Sequence, residues 1–284
     1  MSIKLKLMII FISIIFILLS SIYILEIIIE PQGFVVPSYE KTDIEHLLSK
    51  EKLTEEDYKV LFYQTGLGKP AIDELLLNME TGIDEILKFQ YNFFAERNVL
   101  CEKIALTTSQ ESFVDNQGTY RYGFNLAPYK NGYVLITKAT HTLGWRHGHA
   151  AIVTDAENET TLEAVLIGQN SQYQNINKWR IYPSFIMLKL KNADEEKLNH
   201  IADFAIQNMH NLPYKLTIGL FSKKDPETEE IIGTQCSHLV WHPFNEFGYN
   251  IDSDGSWLVT PKDIANSDLF EVVQIYGVDP SEIW

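Results

Sequence analysis

The hydrophobic pattern begins with an uncharged run over residues 7–25, extended by Ile27, Ile28 and Ile29 after a single Glu26. Such a run is long enough to cross a hydrocarbon core as a helix. Lys4 and Lys6 at its start predict an N-terminus on the inside and everything after Glu30 on the outside. A cleaved signal peptide is the rival, but its apolar core is usually shorter, and Ser20-Ser21 is the nearest approach to a small-x-small cleavage site. The expectation is an uncleaved anchor over residues 1–30.

Beyond a short extended linker at residues 31–37 the apolar spacing turns helical. Thr42-Asp43-Ile44-Glu45 and Thr54-Glu55-Glu56-Asp57 read as capping boxes. The second opens a helix through Tyr58, Leu61 and Phe62 that stops at Gly66-Leu67-Gly68. Pro70 starts another, with Ile72, Leu75, Leu76 and Met79 on one face and Gly82 ending it. Ile83, Ile86, Leu87, Gln90, Tyr91 and Phe94 continue the 3.6-residue period to Arg97. Residues 31–100 therefore read as a helical lead, a spacer or a wall for the main domain, with no chemistry of its own. Residues 101–120 are polar and aperiodic and are expected to be a connecting loop.

From residue 121 the period becomes strand-like. Strands are expected at 133–137, 149–154, 161–165, 185–190 and 271–276. Asn192-Ala193-Asp194-Glu195 caps a helix whose apolar face is Leu198, Ile201, Ala202, Ala205, Ile206 and Met209, broken by Pro213-Tyr214. The fold class expected is α+β, a small antiparallel sheet with helices against one side.

Charge narrows the partners. A formal net charge of −15 over 284 residues and a pI near 4.9 argue against nucleic acid or an anionic lipid surface as the main partner. The two cysteines, Cys101 and Cys236, are too few for a secreted disulfide framework and too far apart for a zinc knuckle.

Candidate chemistry centres on Gly233-Thr234-Gln235-Cys236-Ser237-His238-Leu239-Val240-Trp241. If a helix begins here, Cys236 sits in its first turn among unpaired backbone N–H groups, which favour a thiolate. A lone cysteine is by default a small buried hydrophobe. What argues for a nucleophile is Arg146-His147-Gly148-His149-Ala150-Ala151-Ile152-Val153 upstream, a histidine-bearing loop running into a strand. His149 at the mouth of the strand is the better-held base, with His147 as its rival. Glu163, flanked by Leu162 and Ala164 in the neighbouring strand of an expected hairpin, is either exposed at a sheet edge or paired with His149 to orient the imidazole. A metal site is the chemical alternative, drawing on His141, His147, His149, His238 and His242, the last two at i, i+4. Pro243 is expected to end their helix at once. Asp252-Ser253-Asp254-Gly255 lacks the downstream Glu of a calcium loop, Pro261 standing in its place, and reads as a turn. No metal and no cofactor are expected.

The order His149, Glu163, Cys236, with His149-Ala150-Ala151-Ile152-Val153, Leu162-Glu163-Ala164 and Cys236-Ser237-His238-Leu239-Val240, resembles the permuted branch of the NlpC-type papain-like cysteine hydrolases, often called YiiX/YebB-like. The resemblance spans residues 132–275 and includes Pro213-Tyr214 and Thr260-Pro261-Lys262-Asp263-Ile264. It implies a circularly permuted papain-like core within residues 121–284, Cys236 as nucleophile, His149 as base and Glu163 as orienting residue. Tyr214 matches a tyrosine that lies beside the nucleophile in such hydrolases, where it assists the oxyanion or lines the substrate site. The backbone N–H of Cys236 is then the other oxyanion donor. Members usually carry Gly-Asp before the first strand, whereas Gly132 here is followed by Tyr133.

With an exported location, this points to peptide bonds of the cell-wall peptidoglycan stem peptide as substrate. Trp145, Tyr173, Trp179, Tyr182 and Trp257 are the aromatics available to line a cleft. The alternatives are a lipid-directed acyl hydrolase or acyltransferase of the same fold, and a non-catalytic binding module.

Overall fold

The apolar run forms one helix, α1 (Ile3–Ile28). It is long and apolar enough to cross a membrane, as a signal sequence also is, and none of Ile3–Ser21 is buried inside the fold. The computed structural model describes residues 3–28, 33–105, 108–142, 145–218 and 231–284.

Four helices form the lead: α2 (Glu45–Leu48), α3 (Glu55–Thr65), α4 (Lys69–Leu76) and α5 (Met79–Phe93). The Thr54 capping box forms as the sequence predicts, Thr54 Oγ1 accepting from the Asp57 N–H and Asp57 accepting from the Thr54 N–H at 2.9 Å. The box expected at Thr42 does not form, because α2 starts at Glu45 and Asp43 accepts from the Glu45 N–H instead. Gly82 does not end a helix either; the break falls at Leu77-Asn78 and Gly82 lies inside α5. Its role is contact, since a Cβ at Gly82 would stand 2.2 Å from the Leu75 carbonyl oxygen.

Strands β1 (Asn98–Lys103) and β2 (Thr108–Val114) form an antiparallel hairpin where a loop is expected. The sequence hides it because the buried positions of β2 include Ser109, Glu111 and Ser112. Glu111 is tolerated there because Arg146 donates to both carboxylate oxygens, at 2.7 and 3.0 Å.

The main sheet comprises β3 (Val134–Thr137), β5 (His149–Asp155), β6 (Thr160–Glu163), β7 (Gln172–Asn175), β8 (Phe185–Leu190) and β9 (Phe270–Tyr276). It is antiparallel throughout, in the order β7-β6-β5-β3-β8-β9, and β4 (Thr140–Thr142) joins the hairpin in a second sheet ordered β1-β2-β4. The fold is α+β with antiparallel sheets and an N-terminal apolar helix. Val134, Leu135, Ile136 and Ala150, Ala151, Ile152, Val153 are all fully buried, so β3 and β5 read as unbroken apolar runs with both faces covered. Each large side chain among them contributes ~1.5–3 kcal/mol.

Helix α6 (Glu195–Met209) and helix α7 (Cys236–Glu246) pack on β5 and on each other. A short α8 (Pro261–Ala265) comes after α7. Pro243 does not stop α7, which runs to Glu246. Every residue from Cys236 to Phe244 is buried, and that packing outweighs the ~3 kcal/mol an internal proline costs. The lead covers the β9 edge, three strands from β5: Gly68 N–H donates to the Val273 carbonyl at 2.9 Å and Ile275 N–H to the Gly66 carbonyl at 2.7 Å.

Candidate active site

Cys236 is the first residue of α7, with Gln235 as N-cap, its side-chain oxygen accepting from the Ser237 N–H at 2.8 Å. The Gln235 amide also donates to the Val259 carbonyl at 3.0 Å, so the cap is fixed at both ends. Cys236 therefore sits at the positive end of a helix dipole, only 7 % exposed.

His149 opens β5 and Glu163 closes β6. Ile152 pairs with Leu162, so Glu163 falls on the diagonal from His149 on the same face of the sheet. His149 Nε2 lies 2.8 Å from Glu163 Oε2, which leaves Nδ1 for the Cys236 sulfur hydrogen-bonded to the ring. His147 turns elsewhere: its Nδ1 meets the Gly148 carbonyl at 2.8 Å and its Nε2 the Thr142 hydroxyl at 3.0 Å. Of the two rivals, the one joined to both Cys236 and Glu163 is His149.

Glu163 is fully buried and accepts four hydrogen bonds. Thr161 Oγ1 at 2.7 Å and Trp179 Nε1 at 3.0 Å donate to Oε1. Lys178 Nζ at 2.7 Å shares Oε2 with His149. These fill the carboxylate's acceptor positions, so it can neither rotate nor readily take a proton. Trp179 also lies flat against His149, ring centroids 5.5 Å apart and planes 11° from parallel. The imidazole is thereby held on its edge by Glu163 and on its face by an indole.

The electrostatics reflect this packing. Burial pushes the Cys236 thiol up, but the hydrogen bond and charge of His149, with smaller help from Ser237 and the Ala150 backbone, outweigh it and hold the thiol below its ordinary value. Burial pulls the His149 imidazole down, while Cys236 and Glu163 overcome that and push it up to about 9. Burial raises Glu163, but the Lys178 charge and then His149 bring it down to about 2. The arrangement favours a thiolate–imidazolium pair beside an ionised carboxylate.

Tyr214 bridges to Thr234, two residues before Cys236, its neighbour Lys215 donating to the Thr234 carbonyl at 2.8 Å. Burial and the nearby Cys236 raise its phenol, keeping it a hydroxyl donor. Trp179 and Tyr182 do not line a cleft; both are buried beneath the site, whereas Trp145, Tyr173 and Trp257 are exposed. The histidines offered as metal ligands are not gathered together. His238 is buried with its Nδ1 3.0 Å from the Thr234 hydroxyl and its ring stacked on His242. His141 lies instead with Cys101 and Glu111. The Asp252-Gly255 segment is a turn, Asp252 accepting from the Gly255 N–H at 3.1 Å.

Sequence reasoning missed Lys178, Trp179 as a partner of the site, Thr161 and the Gln235 cap. Thr161 had a signal, since it is two residues from Glu163 and shares its face. Lys178 and Trp179 had none, for they come from a single 3₁₀ turn (Ile176–Ile181) that only the tertiary fold brings under the carboxylate.

No family model matches the chain, and no curated protein matches it. Among solved structures, the Escherichia coli O157:H7 protein described as metalloprotein yiiX, DUF1105, is similar with a TM-score of 0.40 and 11 % identity, over 51 % of this chain and 96 % of that one.

Proposed function

We propose that this chain is a membrane-anchored, outward-facing cysteine hydrolase with a circularly permuted papain-like core, cleaving amide bonds of peptidoglycan stem peptides. The observation that supports it is a buried imidazole hydrogen-bonded to Glu163 through Nε2 and to the Cys236 thiol on its other side. In this reading the Cys236 thiolate attacks the scissile carbonyl, and the negative oxygen is met by the Cys236 N–H and the Tyr214 hydroxyl. The His149 imidazolium protonates the departing amine, leaving a thioester. Neutral His149 then takes a proton from water, whose oxygen attacks the thioester and releases the acid and the thiolate. Neither a metal nor a cofactor takes part in this cycle.

One observation favours a second reading. Only four residues separate Ile28 from Gly33, and Val35 N–H already donates to the Gly277 carbonyl. An anchored domain on so short a tether works at the membrane surface, where acyl esters and amides of lipids are also within reach.

The test is pH-dependent alkylation of the full chain in detergent with a chelator present, both cysteines being mapped. Cys236 is expected to react well below the ~8.5 of a free thiol, and His149→Ala to remove that advantage. Digestion of muropeptides and of acyl-lipid substrates then separates the two hydrolase readings. If Cys236 reacts only in the free-thiol range, both fail and a binding module replaces them.

A further inference from the structure

A second constellation of the same residue types lies on the smaller sheet, away from Cys236. Cys101 on β1 is registered opposite Glu111 on β2, and Ser109, two residues from Glu111, is opposite His141 on β4. Cys101, Glu111 and His141 therefore share one face of three adjacent strands. A thiol sulfur, a carboxylate oxygen and an imidazole nitrogen there all lie within 4.8 Å of one another. Glu111 and His141 are buried, whereas Cys101 is open to solvent.

We propose that Cys101, Glu111 and His141 bind a divalent cation of the zinc class, with water in the fourth position. The separation of sulfur and imidazole nitrogen is what a zinc site requires. A tetrahedral zinc with bonds of ~2.3 Å to sulfur and ~2.0–2.1 Å to nitrogen sets those two atoms about 3.5–3.6 Å apart. Cys101 Sγ and His141 Nε2 stand 3.5 Å apart. A Glu111 oxygen lies within 4.8 Å of both, and each carboxylate oxygen keeps a second lone pair beside the hydrogen bond that it accepts from Arg146. One soft sulfur and one imidazole select zinc over magnesium or calcium.

One thiolate and one carboxylate meet the dication, with Arg146 still paired to Glu111, and the thiol proton leaves to solvent on binding. Since Cys101 is solvent-exposed, the cation has a route in.

The place of the site gives it a consequence. Gly33, where the chain returns from α1, is buried against Glu111, so closely that a Cβ on it would stand 1.9 Å from Glu111 Oε2. Arg146, which pairs with Glu111 beside Gly33, is three residues from His149. A cation here clamps β1, β2 and β4 together at the base of the anchor, beside the loop that delivers the candidate base. This site shares no residue with the Cys236 centre, so it stands or falls separately.

The experiment uses the full chain in detergent carrying Cys236→Ala, which leaves Cys101 as its one thiol. Cobalt(II) is titrated in, and absorption is recorded. The expected result is one equivalent giving tetrahedral visible bands and a thiolate-to-cobalt charge-transfer band, displaced by zinc. Cys101→Ser should abolish the charge-transfer band. His141→Ala should weaken binding by more than the about 10–100-fold typical of losing an outer-shell partner. Near-ultraviolet circular dichroism checks that each variant keeps its fold. In parallel, zinc should protect Cys101 from alkylation. No charge-transfer band with folded protein, an octahedral spectrum, unchanged affinity in His141→Ala, or no protection of Cys101 would each overturn the proposal and leave a plain Cys–His hydrogen bond.

Discussion

Lys178 offers the sharpest test of how the site is held. Its ammonium sits 2.7 Å from Glu163 Oε2, and Glu163 is fully buried. The carboxyl is brought from its ordinary 4.5 to about 2, the Lys178 charge being the largest favourable cause. At ~1.36 kcal/mol per pKa unit, that difference corresponds to about 3 kcal/mol of stability carried by the ionised carboxylate. Lys178→Met removes the ammonium and leaves Thr161, Trp179 and His149 to hold Glu163, so a loss of about 1–3 kcal/mol is expected at pH 7, toward or below the low end of what breaking a buried pair costs. The direction of the shift sets the sign with pH. A carboxyl lowered in the fold contributes stability that is complete above its unfolded pKa and is lost as pH falls through the folded value. The wild-type advantage over Lys178→Met should therefore shrink as pH falls from about 4.5 toward 2. Thermal unfolding of both proteins in detergent, monitored by tryptophan fluorescence between pH 7 and pH 3, measures the gap. A cycle with Glu163→Gln isolates the pair: in that background Lys178→Met should cost little. A gap that stays constant across the range, or strict additivity in the cycle, would refute the reasoning.

The same packing sets three other outcomes. Trp179→Phe keeps an aromatic face for His149 but removes the donor to Glu163 Oε1; a loss of ~1–3 kcal/mol is expected, with turnover falling more than KM changes in steady-state assays. His149 is raised to about 9, so the stability it contributes is complete below its unfolded value near 6.5 and is lost as pH rises through about 9; activity against any accepted substrate should fall over the same alkaline limb, and Glu163→Gln should move that limb to lower pH. Gly82→Ala should destabilise by ~1–3 kcal/mol in thermal melts, against the roughly 1 kcal/mol gain expected in an open helix, because its Cβ would meet the Leu75 carbonyl at 2.2 Å.

Much of this molecule is legible along the chain because the signals are local. The apolar run of α1, the Thr54 capping box, the Asp194 cap of α6 and the unbroken apolar stretches of β3, β5 and β8 each depend on residues within a few positions of one another. The residue types at 149, 163 and 236 are legible too, each standing at the end of an element with a recognisable period. What joins them is not local. The register of β5 on β6 and the packing of α7 on β5 decide that His149, rather than His147, meets both Glu163 and the thiol. The clamp of Lys178 and Trp179 comes from a 3₁₀ turn whose sequence has no period. The β1–β2 hairpin is hidden because most buried positions of β2 are polar, and Glu111 among them is neutralised by Arg146 from a distant loop. Gly82 and Pro243 mislead for the same reason: a breaker's local cost is a few kcal/mol at most, and burial against another element can exceed it. Local chemistry chose the elements and the candidate reactive groups; desolvation and close packing, which exist only in the assembled fold, chose their partners and their charge.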